Sequence, residues 1–138
     1  MTIGIIDIGV GNIGSVVNAV YSQGWDSISI TRPEDLSSVS HLIIPGVGSF
    51  SYIMNRLREL SLDTSICDFA SQGSPVLGIC LGMQILGDAG SEGVYSLGLG
   101  LISGEVNPIN RTVGLPLPHV GWNDAVEVNK HPLLDGVK

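Results

Sequence analysis

One cysteine carries the clearest chemical signal in this sequence. Cys80 stands at the centre of a Gly-x-Cys-x-Gly pattern (residues 78–82), after the apolar residues 75–77 and before the helix-compatible residues 81–86. An apolar run of this length predicts a buried strand, and flanking glycines let a strained strand-to-helix turn lift one side chain above the sheet. The helix dipole and free N–H groups there favour a thiolate. The pattern therefore predicts a nucleophilic Cys80, with a buried structural cysteine as the alternative.

The composition limits what the chain can bind. Its 138 residues suit one domain with a sizeable core. The net charge of −7 leaves no basic patch for nucleic acid or a membrane surface. No apolar run approaches the roughly 20 residues that a membrane helix needs, and two cysteines, Cys67 and Cys80, are too few for a disulfide framework. We therefore expect a single cytoplasmic domain over residues 1–138 that binds neither nucleic acid nor membrane.

Apolar periodicity predicts an alternating α/β order. The expected strands are residues 3–7, 26–31, 41–45 and 75–79, and the expected helices are residues 14–22, 51–60 and 63–71. Strands that alternate with helices imply right-handed crossovers and a parallel sheet. Beyond Gly87 the pattern gives way to glycine- and proline-bearing stretches, which predict loops and short strands.

A second glycine pattern competes for a functional role. Residues 9–14 match Gly-x-Gly-x-x-Gly between a predicted strand and a predicted helix, the context of a dinucleotide-binding turn. That motif needs an acidic residue about twenty positions later to hold a ribose. This chain has Arg32 and Pro33 there, with Glu34 just beyond. Because an arginine would suit a 2′-phosphate, both a nucleotide site and a tight turn that needs glycine for its geometry remain open.

Four blocks, in order, resemble one enzyme family. They are IIDIGVGNI (residues 5–13), PGVGSF (45–50), GICLGMQ (78–84) and PHVGWN (118–123). Together they resemble class I (triad-type) glutamine amidotransferases, and most closely the glutaminase subunits of imidazole glycerol phosphate synthases. The last block is the narrower marker, although Val120 stands where that family usually has Met. The resemblance implies a flavodoxin-like α/β fold with a mostly parallel sheet flanked by helices, incomplete at the C-terminus. It also makes residues 9–14 a structural turn.

The resemblance implies roles for individual residues. Cys80 would attack the side-chain amide of glutamine, and the backbone of Val47 and Gly48 would form the oxyanion hole. Gln84 and Glu92 match positions that hold the glutamine substrate, where a carboxylate can pair with the α-ammonium group. No cofactor and no metal ion is implied.

A partner is implied as well. The ammonia would pass to a (β/α)₈ cyclase subunit, which builds the imidazole ring in histidine biosynthesis and forms a heterodimer with the glutaminase. The residues expected to face this partner are Pro118, His119, Trp122 and Asn123. A paralogue serving surface-polysaccharide sugar synthesis is an open alternative. A dinucleotide-binding module or a non-catalytic binding subunit is the alternative from a different class.

One departure from the family pattern concerns the catalytic base. The family activates its cysteine with a histidine and orients that histidine with a glutamate, both from a His-Pro-Glu motif near the C-terminus. In this chain His131 and Pro132 are followed by Leu133, and no such motif occurs before Lys138. Because the leaving ammonia needs a positioned acid, we expect a C-terminally truncated chain that is inactive alone.

Overall fold

The computed structural model of this protein describes residues 1–110, 118, 120–124, 126, 128 and 130–136. Two units are distinguished, Met1–Pro108 and Ile109–Lys138. The second unit contains a short 3₁₀ turn at Pro132–Leu134. The first unit contains the elements that position the predicted site.

The first unit alternates strands and helices as the sequence predicts. Its main elements are β1 (Thr2–Ile6), α1 (Ile13–Ser22), β2 (Asp26–Ile30), β3 (His41–Gly46), α2 (Phe50–Glu59), α3 (Leu62–Ser71), β4 (Val76–Cys80) and α4 (Leu81–Gln84). The predicted bounds of β1 to β4 and α1 to α3 agree with these to within one residue at each end. A 3₁₀ helix at Pro33–Ser38, which the sequence analysis did not predict, joins β2 to β3.

The four main strands form one parallel sheet. Their order is β2-β1-β3-β4, the strand order of the flavodoxin-like α/β fold. In the ladder Ile5 pairs with Ile43, Ile43 pairs with Leu77, and Gly46 pairs with Cys80. The carboxyl ends of β3 and β4 therefore meet at one edge of the sheet, where ligands bind in open α/β sheets.

The main core lies between one face of the sheet and helices α2 and α3. Side chains alternate between the two faces of a strand, so residues of even number in β1 and β3, such as Ile6 and Ile44, point to this face. The fully buried side chains that meet there include Ile6, Leu42, Ile44, Phe50, Ile53, Leu57, Leu62 and Ile66. No helix in the described part of the chain is long and apolar enough to cross a lipid bilayer.

The opposite face of the sheet is only partly covered, by helix α1. Ile3, Ile43 and residues of α1 line an open apolar groove that extends to Leu77 and Ile79 of β4. The side chains of Leu77 and Ile79 are 37% and 40% exposed. The expectation that β4 is a buried strand is therefore wrong for this face. Among the described residues β4 is an edge strand, and a local apolar run does not reveal an edge position.

A small second sheet follows α4. It consists of β5 (Ala89–Gly90), β6 (Ser96–Leu97) and β7 (Glu105–Val106), with β5 antiparallel to β6 and parallel to β7. Over residues 87–108 the predicted loops and short strands are confirmed, whereas residues 115–117 of the predicted proline-bearing stretch lie outside the described residues.

Candidate active site

The strand-to-helix turn predicted around Cys80 is present. Cys80 ends β4 and immediately precedes α4, with φ +56° and ψ −119°. A residue with a Cβ avoids such a conformation, which costs on the order of 1–3 kcal/mol. The thiol is exposed. The turn therefore presents a strained, accessible cysteine at the carboxyl edge of the sheet.

The glycines around this cysteine are needed for close packing. A Cβ on Gly82 would collide with the carbonyl oxygen of Ile44, and one on Gly78 would collide with the backbone of Met83. A Cβ on Gly46 would lie 2.6 Å from the backbone nitrogen of Gly82. Cys80 carries the positive φ of this turn, whereas these glycines do not. The start of α4 is thus pressed against the end of β3, which fixes where the cysteine sits.

Helix α4 is shorter than the helix-compatible run at residues 81–86. It ends at Gln84, and the N–H groups of Leu86 and Gly87 bind the carbonyls three residues back, of Met83 (3.2 Å) and Gln84 (3.1 Å). The oxygen of Ile85 accepts a hydrogen bond from the N–H of Leu99 (2.8 Å), and that of Leu86 accepts one from Leu101 (2.8 Å). Carbonyl groups at a helix end need such partners. Contacts from later residues of the chain therefore satisfy the carbonyls that follow this helix.

The loop expected to form the oxyanion hole begins beside Cys80. Gly46 is the ladder partner of Cys80, and neighbouring strands lie about 4.8 Å apart. Val47 and Gly48 follow directly and are both exposed, and Gly48 has φ +102°. The hydroxyl of Ser49 then caps α2 by accepting from the N–H of Tyr52 (3.4 Å). The structure brings Val47 and Cys80 to the same edge.

The two residues expected to bind substrate lie in different settings. Gln84 is half-buried at the end of α4, four residues after Cys80, which precedes the first residue of this helix. Glu92 is exposed in the loop between β5 and β6. Within the described ranges Glu92 takes part in no ion pair. Its carboxylate is thus accessible to a cationic ligand.

Cys67, the second cysteine, has a different environment. It is half-buried on α3, and its thiol donates a hydrogen bond to the carbonyl oxygen of Leu99 (3.4 Å). Burial raises the pKa of the Cys67 thiol, and the carboxylates of Asp63 and Asp68 raise it further. The thiolate is the reactive form of cysteine, so we expect Cys67 to react more slowly than an ordinary thiol, as a packing residue would.

His41 is the histidine of the first unit, and it does not lie beside Cys80. It begins β3, whereas Gly46, the ladder partner of Cys80, ends it. Five residues of strand separate the two positions by roughly 16 Å. In the second unit, Nδ1 of His131 accepts a hydrogen bond from the N–H of Leu133 (3.1 Å). No three His, Cys, Asp or Glu side chains come together as a metal site in the part of the chain that the structure describes.

The residues expected to face a partner are exposed where they are described. Pro118 and Asn123 are exposed, and Trp122 is 103% exposed. His119 lies outside the described residues. A fully exposed tryptophan is not a local core residue, and tryptophan is enriched among interface hot spots.

The geometry of the glycine-rich turn at residues 9–14 accounts for Gly9 and Gly11 without a ligand. Gly9 and Gly11 have φ of +82° and +102°. The N–H of Gly9 donates to Asp7 Oδ1 (3.2 Å), and Asn12 Oδ1 caps α1 by accepting from the N–H of Ser15 (3.2 Å). The interpretation as a tight structural turn is supported.

Arg32, which stands where a dinucleotide-binding protein holds its ribose, is engaged within the chain. Its guanidinium pairs with Glu34 (3.4 Å) and Asp35 (3.2 Å). The Asp35 carboxylate also accepts from the N–H groups of Thr31 and Arg32. The hydrogen bond from Thr31, followed by those from Arg32 and its charge, lowers the pKa of Asp35. Arg32 thus helps to cap the 3₁₀ helix at Pro33–Ser38.

Known sequences are similar to this chain over most of its length. A family model of the CobB/CobQ-like glutamine amidotransferase domain matches residues 20–120. The imidazole glycerol phosphate synthase subunit HisH of Geobacillus sp. (strain WCH70) is 42% identical over 99% of this chain and 66% of its own length. HisH of Wolinella succinogenes is 37% identical over 99% of this chain and 68% of its own. The chain thus spans about two thirds of the length of these curated relatives.

Comparisons with solved structures confirm the predicted fold class. A crystal structure of a glutamine amidotransferase matches with a TM-score of 0.67 at 22% identity, over 76% of this chain and 55% of that one. A peptidase E protein from Listeria monocytogenes matches with a TM-score of 0.61 at 12% identity, over 73% of this chain and 62% of that one. At these identities the likeness concerns the fold alone.

The match over residues 20–120 includes the loop at Val47 and Gly48 and the turn at Cys80. Together with the relatives that align over nearly the whole chain, it shows that this chain belongs to the class I glutamine amidotransferase family.

Proposed function

We propose that this protein is the glutaminase subunit of an imidazole glycerol phosphate synthase in histidine biosynthesis. It hydrolyses glutamine to glutamate and delivers the ammonia to a synthase subunit. The observation that carries the proposal is the strained, exposed Cys80 beside the Val47–Gly48 loop. The similarity to HisH subunits supports this particular synthase. The reaction needs no cofactor.

Cys80 is the nucleophile of the proposed reaction. Its sulfur attacks the carbonyl carbon of the glutamine side-chain amide, and the amide oxygen takes up the negative charge of the tetrahedral intermediate. Backbone N–H groups of Val47 and Gly48 donate to that oxygen, the largest single source of stabilisation in such reactions. Collapse of the intermediate breaks the C–N bond, releases ammonia and leaves a γ-glutamyl thioester. Water then hydrolyses the thioester to glutamate and restores the thiol.

Two residues hold the substrate in this proposal. The exposed carboxylate of Glu92 pairs with the α-ammonium group of glutamine, and the side-chain amide of Gln84 hydrogen-bonds near the scissile group. Gln84 follows Cys80 by four residues on the short α4, which suits a contact with the reacting end of the substrate. Glu92 lies on a separate loop and suits the other end.

The leaving nitrogen must take up a proton from a positioned acid. His41 cannot supply it, because it begins β3 while Cys80 pairs with the last residue of that strand. We therefore expect this chain alone to release glutamate slowly. Rapid turnover requires a histidine that the first unit does not place beside Cys80.

The proposed partner is a (β/α)₈ cyclase subunit that forms a heterodimer with this protein. The exposed Trp122, flanked by Pro118 and Asn123, serves as the interface anchor. We expect Trp122→Ala to weaken binding by about 2 kcal/mol or more, the size of a hot-spot effect. Folding should be unaffected, because truncating an exposed side chain leaves no internal cavity. If Trp122→Ala binds the partner with unchanged affinity, or if this variant unfolds, Trp122 is not the interface anchor and the interface lies elsewhere.

The proposed activity is tested with the heterodimer. Glutamate release and ammonia-dependent cyclase turnover are measured for the wild-type protein and for Cys80→Ser. We expect ammonia-dependent turnover with both proteins, slow glutamine-dependent turnover with the wild-type chain, and no glutamine-dependent turnover with Cys80→Ser. A wild-type protein that supports only a synthase of polysaccharide sugars would instead assign it to the paralogous pathway.

A further inference from the structure

Arg58 connects helix α2 to the hairpin that carries Glu92. Its Nη2 donates to the carbonyl oxygen of Leu97 (2.6 Å), and its Nη1 donates to Oγ of Ser96 (3.3 Å). Ser96 is a buried polar residue of the first unit. A guanidinium bound to two acceptors has a fixed orientation, so this contact defines where the end of the hairpin lies on α2.

The hairpin itself consists of β5, the loop at residues 91–95 and β6. Gly90 and Ser96 form the strand pair next to the loop. Glu92 therefore lies in the loop two residues after this pair. On the β5 side the hairpin rests on Phe50, because a Cβ on Gly90 would lie 2.5 Å from the aromatic ring. Phe50 is the first residue of α2 and follows Gly48 by two residues. The Glu92 loop and the Val47–Gly48 loop are therefore anchored to the same helix end.

Arg58 provides the second anchor, on the β6 side. An open cleft of about 440 Å³ lies between α2 and the hairpin, lined by Ser51, Asn55, Arg58 and residues 94–97. The Arg58 side chain lines this cleft and donates its two hydrogen bonds to β6. Without the guanidinium, the hairpin would keep its contact at Phe50 but could tilt into or away from the cleft.

We propose that Arg58 is a positioning residue for glutamine binding: it holds the β5–β6 hairpin so that the Glu92 carboxylate meets the α-ammonium group of the substrate. The inference rests on the proposed function, in which Glu92 binds that group. Arg58 acts through the hairpin and does not touch the reacting atoms. Its loss should therefore weaken glutamine binding and leave the intrinsic reactivity of Cys80 unchanged.

The test measures alkylation of Cys80 by iodoacetamide in this chain, with and without L-glutamine, followed by peptide mapping. For Arg58→Met we expect the rate without glutamine to stay within about twofold of wild type. The glutamine concentration for half-protection should rise about tenfold or more, as expected for losing hydrogen bonds from a charged donor. Arg58→Lys, which keeps the charge but reaches fewer acceptors, should give an intermediate shift.

Arg56→Met is the matched control. Arg56 lies on the same helix and pairs with Glu59 (2.7 Å), so its removal should leave glutamine protection unchanged. Glu92→Gln supplies the second comparison: if Arg58 acts through Glu92, Arg58→Met should add little to the shift that Glu92→Gln causes alone.

The outcomes separate the inference from the proposed function. Wild-type protection by glutamine with an unchanged half-protection concentration in Arg58→Met would overturn the inference alone. A rate of intrinsic alkylation that differs more than twofold from wild type in Arg58→Met would assign Arg58 a general structural role and also overturn the inference. Absence of glutamine protection in the wild-type chain would contradict the proposed function, and the inference with it.

Discussion

Two glycine-rich turns of this protein have similar sequence patterns and opposite physical demands. In the turn from β1 to α1, Gly9 and Gly11 adopt positive φ, and a Cβ on Gly9 would meet nothing within 4 Å. In the turn from β4 to α4, Gly78 and Gly82 leave no room for a Cβ, and the positive φ falls on Cys80. Glycine therefore provides backbone freedom in the first turn and close approach in the second.

The difference shows where strain is tolerated. Glycine would adopt the conformation of Cys80 at little cost, yet this position carries a thiol. Strain that is retained on a residue with a Cβ is typical of active sites, where the surrounding packing enforces it. Here the enforcing contacts are those of Gly82 with the end of β3. The turn at residues 9–14 has no residue of this kind, which fits a structural role.

The largest expected effect is loss of stability on adding one methyl group to the second turn. Gly82→Ala would push a Cβ into the carbonyl of Ile44, and we expect a loss of about 3 kcal/mol or more in the free energy of unfolding. Gly14→Ala is the control, because Gly14 lies on α1 with open space around it and without positive φ. It should be neutral or stabilising by about 0.5–1 kcal/mol. Urea unfolding measures the free energy of unfolding of Gly82→Ala and Gly14→Ala. If the two variants are equally stable, the second turn does not depend on the close approach at Gly82, and the distinction between the turns is wrong.

Two opposite substitutions test at which turn a positive φ lowers the free energy of unfolding: glycine replaces Cys80 in one, and alanine replaces Gly9 in the other. Cys80→Gly should raise the free energy of unfolding by about 1 kcal/mol, since relief of strain outweighs the added flexibility of the unfolded chain. Gly9→Ala should lower it by about 1 kcal/mol, because alanine must adopt φ near +82°. Cys80→Ala, which keeps the strain, is the reference for Cys80→Gly. If these two Cys80 variants unfold at the same urea concentration, the turn is not strained.

The smallest expected effect concerns Cys67, the thiol that lies outside both turns. Its pKa is raised in the folded protein above the ordinary value of 9.0, so the unfolded chain loses this proton first as pH increases. The contribution of the thiol to stability is therefore complete below pH 9.0 and declines as pH rises through the folded pKa. Urea midpoints measured at rising pH should fall less steeply for Cys67→Ala than for wild type. The same slope in both proteins would show that Cys67 ionises alike folded and unfolded.

Local patterns were sufficient to predict the main elements of the first unit, and long-range contacts explain what they missed. The spacing of apolar residues located β1 to β4 and α1 to α3. The path of the chain after α4 depends on the N–H groups of Leu99 and Leu101, which bind the carbonyls of Ile85 and Leu86. The partial exposure of Leu77 depends on the edge position of β4 in the described sheet. Neither property is encoded by neighbouring residues.

In the candidate site, too, some features could be predicted from the sequence and others depend on long-range contacts. The approach of Val47 to Cys80 is an expectation from the family resemblance, and the pairing of β3 with β4 brings the carboxyl ends of these two strands to one edge of the sheet. The contact between Arg58 and Leu97 could not be predicted, since the two residues lie 39 positions apart and the intervening sequence carries no pattern that pairs them. The 3₁₀ helix at Pro33–Ser38 did have a local signal, a proline followed two residues later by Asp35.

The most direct measurement is site-resolved labelling by an electrophilic analogue of glutamine. The full chain is treated with the label at neutral pH, and each cysteine-containing peptide is quantified by mass spectrometry. Cys80 is exposed on the strained turn, whereas Cys67 is half-buried with a raised pKa. We predict covalent modification of Cys80 that free glutamine slows, with Cys67 unmodified. Preferential modification of Cys67, or labelling of Cys80 that glutamine does not slow, would contradict the assignment of Cys80 as the glutaminase nucleophile.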